Sequence, residues 1–402
     1  MKSINYLTFF EIAFSNFTIS AIGYLCGFLK MFTSHEVSLI LSIVNNISVP
    51  LLIFREVGRN GLKPKTWAPL LVSFLVEIIM HLILLIPLLF RKSGRRFQYL
   101  TSILSTTYFN GIYCGMTITQ IVYGIDYSYI VVYCYIIHYI FVIPFHNILI
   151  YLCSEAVPEP DSDEIPNQTG NLEHGEKGEE EEEVLEDVID EGDVENHVVV
   201  EIPASSSENS DSVEPVYDDP NDESSAHAGE TPTGKNPNAR PPLWRVILFS
   251  FLTFQNVCLI LGLIWAATGW TMPLFLDTFT NDHEKAVMSV GLFAIGAYMW
   301  DHPFLGGNVQ EVSLYFILHS VGMPLLAILF CFLLDLDHKV SVIVTLVHAM
   351  PCGLLGYSLS LHYQLKLLSP TFTFFWNNLL ALPIQMLWVV IINETHLFQI
   401  EE

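Results

Sequence analysis

Apolar residues in this chain come in long blocks rather than in alternation. The blocks run at about 5–30, 37–54, 67–90, 99–123, 127–152, 244–268, 283–300, 311–334, 340–363 and 371–393. A bilayer core takes about 20 consecutive apolar residues per helix, so each block predicts a membrane-crossing helix. Five blocks precede a hydrophilic gap and five follow it. The pattern predicts an all-α polytopic membrane protein with ten transmembrane helices. It divides the chain into a first five-helix repeat (1–153), an acidic loop (154–242), a second five-helix repeat (243–395) and a short tail (396–402). The first block starts Met-Lys and is broken by Glu11 and Asn16. It reads as an uncleaved anchor, with no small-residue cleavage site.

An odd number of spans per half makes the second half enter the membrane from the opposite side. Duplicated halves then form an inverted repeat, an architecture common in secondary transporters. The two fourth spans fit duplication. "YFNGI" at 108–112 sits against "MPCGL" at 350–354, with Gly115 and Gly356 shortly after. These sequences interrupt helices. Interrupted backbone at mid-membrane persists only inside protein or along a wet cavity. Half-helix N-termini carry partial positive charge and suit an anion. Close helix packing through small residues is the competing explanation. Matched positions in both halves favour broken, crossing helices 4 and 9, with Gly111, Gly115, Thr117, Pro351 and Gly356 as the helix-break and crossover residues.

Composition changes the picture in one place. The 402 residues are 51% hydrophobic, with a formal charge of −25 and a mean hydropathy of +0.44. Of the 42 acids, 27 lie between Glu155 and Glu230 beside a single Lys177, so that segment carries −26 and the rest about +1. The loop has too little apolar surface to offset its ordering entropy, so disorder is expected. Its "VVVEI" near Val198 is a candidate strand or docking motif. The seven cysteines show no CxxC spacing, which leaves zinc and disulfide frameworks unsupported. No Walker loop, GxSxG or HExxH occurs. No cofactor, metal or nucleic-acid partner is implied, and the expectation is not an enzyme.

Candidate site residues follow from position. Asn110 places an amide at the fourth-span break, where it can meet a carboxylate or form an interhelical hydrogen bond. Gln255 and Asn256 would supply a second amide from the other half. His348 lies three residues before Pro351 and could line the same cavity. Glu77 sits mid-span in "LLVSFLVEIIMHLILLI", where an ionisable group is a functional candidate by default. His81, four residues on, shares its helical face. The pair could hold or pass a proton, or be a structural Glu–His pair. His138, His146 and His319 read as ordinary packed or interfacial histidines. Trp67, Trp270 and Trp300 fit the interfacial belt.

Four stretches resemble the auxin efflux carrier family of PIN-formed and PIN-like carriers: "MFTSHEVSLILSIVNNISVPLLIF" (31–54), "FNGIYCGMTITQIVYG" (109–124), "SVGLFAIG" (289–296) and "VHAMPCGLLGYSLSLHYQ" (347–364). The resemblance implies ten spans in an inverted repeat, crossed helices 4 and 9, a cytosolic central loop, and export of a small organic anion. It makes Val49 and Pro50 the second-span wall of the site, and Pro351 and Gly353 its ninth-span side. It also places an acid in the third span, about one turn from Glu77, and allows a homodimer. Apart from Lys177 and Lys235 of the loop, lysines and arginines divide eight to seven across the membrane in that orientation, which hardly decides it. Phe109, Thr117 and Gly356 stand where the plant pattern has proline. Phe254-Gln255-Asn256 stands where it has Asn-Pro-Asn. These departures suit a distant member acting on another anion.

The expected function is therefore a secondary transporter that moves an organic anion by alternating access within a lipid bilayer. A non-transporting receptor with the same fold is the alternative. A membrane enzyme lacks any catalytic constellation beyond Glu77 and His81. The plasma membrane and the endoplasmic reticulum both stay open.

Overall fold

Asn5, Thr33, Asn308 and Asp337 each stand just ahead of an apolar block, and each caps a helix. Their side-chain oxygens accept the first free backbone N–H groups, and Thr33 forms a reciprocal capping box with Glu36. The computed structural model describes residues 4–61, 64–89, 95–153, 242–300, 308–356, 359 and 368–398. The acidic loop, including its "VVVEI", and the last residues of the tail lie outside the described residues.

The helices are α1 (Tyr6–Phe28), α2 (Ser34–Asn60), α3 (Pro64–Leu89), α4 (Arg95–Thr106), α5 (Gly111–Val122), α6 (Ile125–Cys153), α7 (Leu243–Phe251), α8 (Phe254–Thr268), α9 (Leu274–Trp300), α10 (Val309–Leu333), α11 (His338–His348), α12 (Leu368–Leu379) and α13 (Ala381–Glu394). Among the described residues there is no strand beyond one isolated bridge. Five helices, α1, α2, α3, α6 and α10, are long and apolar enough to cross a membrane. The pairs α7–α8 and α12–α13, bent by 50° and 63°, raise the number to seven. The blocks at 244–268 and 371–393 are therefore bent, not the straight spans their composition suggests. Thr253 restarts the first by capping Asn256 N–H.

Several helix ends overrun the apolar blocks. α2 continues through Arg55, Glu56 and Arg59, and α9 begins at Leu274, ahead of Asp277 and Glu284. These charges stay helical because they pair with one another across the two helices. The sequence pattern puts Arg55 at an aqueous edge. It is instead buried, with Asp277, Glu56 and Glu284 as partners.

Three helices carry a π-helical turn that ends just before a proline: 44–48 before Pro50, 138–142 before Pro144, and 318–322 before Pro324. Proline clashes with the carbonyl four residues back and offers no N–H. The widened turn relieves the clash without ending the helix.

The tightest crossing pairs α1 with α9 in parallel. A Cβ built on Gly296 would lie 1.8 Å from the Ser20 carbonyl oxygen, and one on Gly23 would lie 2.0 Å from that of Phe293. Small residues let two backbones touch, the usual basis of helix association in lipid. Contacts that ascend together make α2 and α8, and α3 and α6, parallel neighbours as well. One face carries both termini, where Asn393 exchanges two hydrogen bonds with Ile4. The opposite face carries the ends of the acidic loop, at Cys153 and Leu243.

Gly296→Ala should force α1 and α9 apart. The expected loss is about 1–3 kcal/mol of stability, read as a lower unfolding midpoint in detergent or nanodiscs. An unchanged midpoint would mean the two backbones do not meet there.

Candidate functional site

The fourth apolar block does break where its sequence suggests. α4 ends at Thr106 and α5 starts at Gly111. α11 ends at His348, because Pro351 disfavours helical backbone in the residue before it. The two breaks meet. Asn110 N–H donates to the Pro351 carbonyl at 2.7 Å, and Gly353 N–H donates to the Tyr108 carbonyl at 2.8 Å. This short antiparallel pairing, centred on Phe109 and Cys352, lets each break satisfy the other. Gly353 eases this approach, since a Cβ there would sit 3.0 Å from the Phe109 carbonyl oxygen. Gly356 leaves room for the Leu104 carbonyl and the Tyr108 ring. Gly111 and Gly115 bound the π-helical turn that opens α5, whereas Thr117 lies beyond it in regular helix.

Asn110 itself is buried, and neither atom of its amide has a hydrogen-bond partner among the described residues. His348 donates from Nδ1 to the Val344 carbonyl at 2.8 Å. Its Nε2 is buried without a partner among the described residues, and its ring lies 5.0 Å from that of Phe109. Leaving such a group unpaired costs on the order of 1–3 kcal/mol.

Glu77 is fully buried. Its carboxylate oxygens have no hydrogen-bond partner among the described residues, but they lie 3.8 Å from His81 Nδ1 and 3.8 Å from His138 Nε2. His81 Nδ1–H donates to the Glu77 carbonyl at 2.6 Å. That fixes the neutral chain beyond it. His81 Nε2 accepts from His146 Nε2–H at 2.9 Å, and His146 Nδ1 accepts from the Tyr108 hydroxyl at 2.8 Å. A continuous chain thus runs from the Glu77 backbone carbonyl, with the carboxyl 3.8 Å from its first imidazole, to a residue of the break. His138 donates to the Thr107 carbonyl at 3.2 Å. The ring nitrogens of His319 contact the Thr106 carbonyl at 2.8 Å and the Met350 carbonyl at 3.0 Å, so this histidine bridges the two breaks. The three histidines that read as ordinary packing in the sequence therefore surround the crossover. Their sequence positions alone give no sign of it.

Gln255 donates to one backbone carbonyl, and Asn256 to two, that of Phe251 in α7 at 2.9 Å and one across the bundle. In α2, Val49 N–H bonds five residues back to Val44, and the next carbonyl, that of Asn45, faces Pro50, which has no N–H. Gln255 Nε2 donates to that carbonyl at 2.8 Å. In α6, Ile143 N–H bonds to His138, and the Tyr139 carbonyl faces Pro144. Asn256 Nδ2 donates to it at 3.2 Å. The two amides fill acceptors that π-helical turns and prolines leave open. Val49 and Pro50 are buried where the α2 turn ends.

A cavity of about 290 Å³ runs from the crossover toward the face that carries the loop ends. Cys114 and Pro351 close its inner end. Asn16, Ser20 and Tyr24 of α1, Leu292 and Met299 of α9, and Asn378 and Gln385 of α12 and α13 line it. No charged side chain is among its lining residues. Of the residues singled out in the sequence, it includes Pro351 alone. Asn16 donates to the Cys114 carbonyl at 3.4 Å and Asn378 to the Cys352 carbonyl at 3.1 Å, so both amides touch the breaks from this side. The sequence holds a signal for Asn16. Phe14-Ser15-Asn16 in the first block echoes Phe254-Gln255-Asn256 in the sixth.

Membrane-length helices around interrupted, mutually paired backbone define a polytopic membrane transport protein. The chain belongs to the family described as "Membrane transport protein", whose model matches residues 8–389. That match fits the auxin efflux carrier and PIN-like group that the four stretches resemble. No curated protein matches the chain.

Asn256→Leu should leave the Tyr139 carbonyl unpaired and cost about 1–3 kcal/mol. In a Pro144→Ala background, the backbone N–H regained at position 144 can supply the missing donor, so the same change should cost less. Unfolding midpoints of the four proteins of this cycle give the coupling. Equal costs in both backgrounds would show that Asn256 is not the substitute donor.

Proposed function

We propose that this protein is a secondary transporter for a small organic anion, working by alternating access around the crossover. In this reading α1–α6 form one five-span repeat and α7–α13 the other, related as an inverted pair, with the acidic loop cytosolic. The observation that carries it is the buried Asn110 amide at the start of α5, which has no hydrogen-bond partner among the described residues. Unpaired polar groups at a helix N-terminus are stabilised when an anion arrives.

Asn110 would contact the carboxylate, with His348 and the paired backbone of Pro351 and Gly353 completing the site. Val49, Pro50, Gln255 and Asn256 would form its opposite wall. The cavity beside Pro351 would be the route to it from the loop face. An apolar body would suit the cavity's aliphatic and aromatic lining, and its amides would suit a polar group. Glu77 and His81 would serve as the proton or support site, with His146 and Tyr108 joining them to the break.

Uptake of a labelled organic-acid panel, including indole-3-acetate, into proteoliposomes tests this. Asn110→Ala should lower initial uptake by about tenfold, the effect of losing roughly 1.4 kcal/mol of ligand interaction. Glu77→Gln should make uptake insensitive to an imposed pH gradient. Folded protein that moves none of the anions would refute transport and favour a ligand-binding receptor.

A further inference from the structure

The face that carries both termini is closed by buried charge. Arg55 of α2 pairs with Asp277 at 3.2 Å, with Glu56 at 3.3 Å and with Glu284. Arg59 pairs with Asp277. Gln120 of α5 donates to the other Glu284 oxygen, and Ser128 of α6 lies 3.2 Å from Glu56 Oε2. The cluster thus ties α2 and α9 to α5 and α6. It lies at the opposite end from the cavity.

Two independent counts, both of the described residues, find this cluster one proton short. The first is of charge. Two guanidiniums, Arg55 and Arg59, face three carboxyls, Glu56, Asp277 and Glu284. Arg55, Glu56 and Glu284 are each at most 3% exposed. Unbalanced charge is costly at that burial.

The second count is of hydrogens. Ser128 Oγ lies 2.7 Å from the Ile125 carbonyl oxygen as well as 3.2 Å from Glu56 Oε2. A hydroxyl has a single hydrogen, and a carbonyl can only accept it. Serving the nearer carbonyl leaves Oγ and an ionised Oε2 facing each other with no hydrogen between them. A proton on Glu56 Oε2 resolves both counts. The carboxyl then donates to Ser128 Oγ, Ser128 donates to Ile125, and two positive charges meet two negative ones. Of the other ionisable groups nearby, His283 is engaged with Ser48 at 3.0 Å, Asp282 and Lys285 pair with each other at the surface, and Asp126 of α6 is exposed.

We propose that Glu56 is a proton-binding site, occupied while the terminal face is closed. The ligand is a single proton, held between Glu56 Oε2 and Ser128 Oγ. Parting α2 and α9 from α5 and α6 would remove the Ser128 acceptor and admit water, so opening this face would release the proton. That consequence rests on the alternating-access reading. The proton itself does not.

Infrared spectra of the full chain in nanodiscs, at neutral pH, test the site. A protonated carboxyl has a carbonyl stretch above the amide I region that moves in heavy water. Glu56→Gln should remove one such band relative to wild type, with Glu77→Gln as the control for the other buried acid. Ser128→Ala should keep the band and move it to higher frequency, because the carboxyl O–H has lost its acceptor. If Glu56→Gln removes only ionised-carboxylate bands, the proposal fails. Should that variant not fold, an unshifted band in Ser128→Ala overturns it alone. A confirmed band in protein that moves no anion would leave the proton site standing and sink the transport reading.

Discussion

Backbone amides that leave a helix inside a membrane must find partners within the protein. The rest of the structure is arranged around that constraint. Each break supplies what the other lacks: Asn110 N–H meets the Pro351 carbonyl and Gly353 N–H meets the Tyr108 carbonyl. Two hydrogen bonds do not satisfy every group. The carbonyls of Thr106, Thr107, Cys352 and Cys114 are reached by His319, His138, Asn378 and Asn16. Polar side chains thus converge on the crossover from helices on several sides.

The same constraint explains the prolines. Pro50, Pro144 and Pro324 each follow a π-helical turn, and each would strand a carbonyl in an apolar setting. Gln255 and Asn256 answer the first two, and in α10 Trp388 Nε1 donates at 2.9 Å to the Ser320 carbonyl, one residue beyond the carbonyl that faces Pro324. These contacts join α2 and α6 to α8, and α10 to α13. A helix defect becomes a specific link between helices that lipid-like apolar surface alone would not orient.

How much of this can be read from the sequence follows from the range of each interaction. Helix positions are legible because burial in lipid is a local property of composition. The breaks are legible because Asn110-Gly111 and Pro351-Cys352-Gly353 act on their own backbone. Helix ends at charges are not. Arg55 and Glu284 are far apart in sequence, and only their meeting makes helix cheaper than exposure. His138, His146 and His319 escape notice for the same reason, since they act on partners that come within reach only once distant segments have met. The bends in α7–α8 and α12–α13 have local marks, Thr253 as a cap in the first and Asn377-Asn378 with Pro383 around the second, but Pro50, Pro144 and Pro324 lie inside unbroken helices, so such residues alone do not say which span bends.

Neutral and charged groups occupy different parts of the molecule, and the difference has a physical reason. The crossover is built from amides, imidazoles and helix ends. Such dipoles can stabilise an anion, yet none brings a full opposite charge to hold it in a low-dielectric interior, where charge pairs are strong. A guanidinium at the crossover would bind an anion tightly and release it slowly. The guanidiniums are instead at the terminal face, where Arg55 and Arg59 join helices of the same chain. Strong pairing fixes those helices to one another, and at the crossover the proposed anion would meet only weaker dipolar contacts, which suit release.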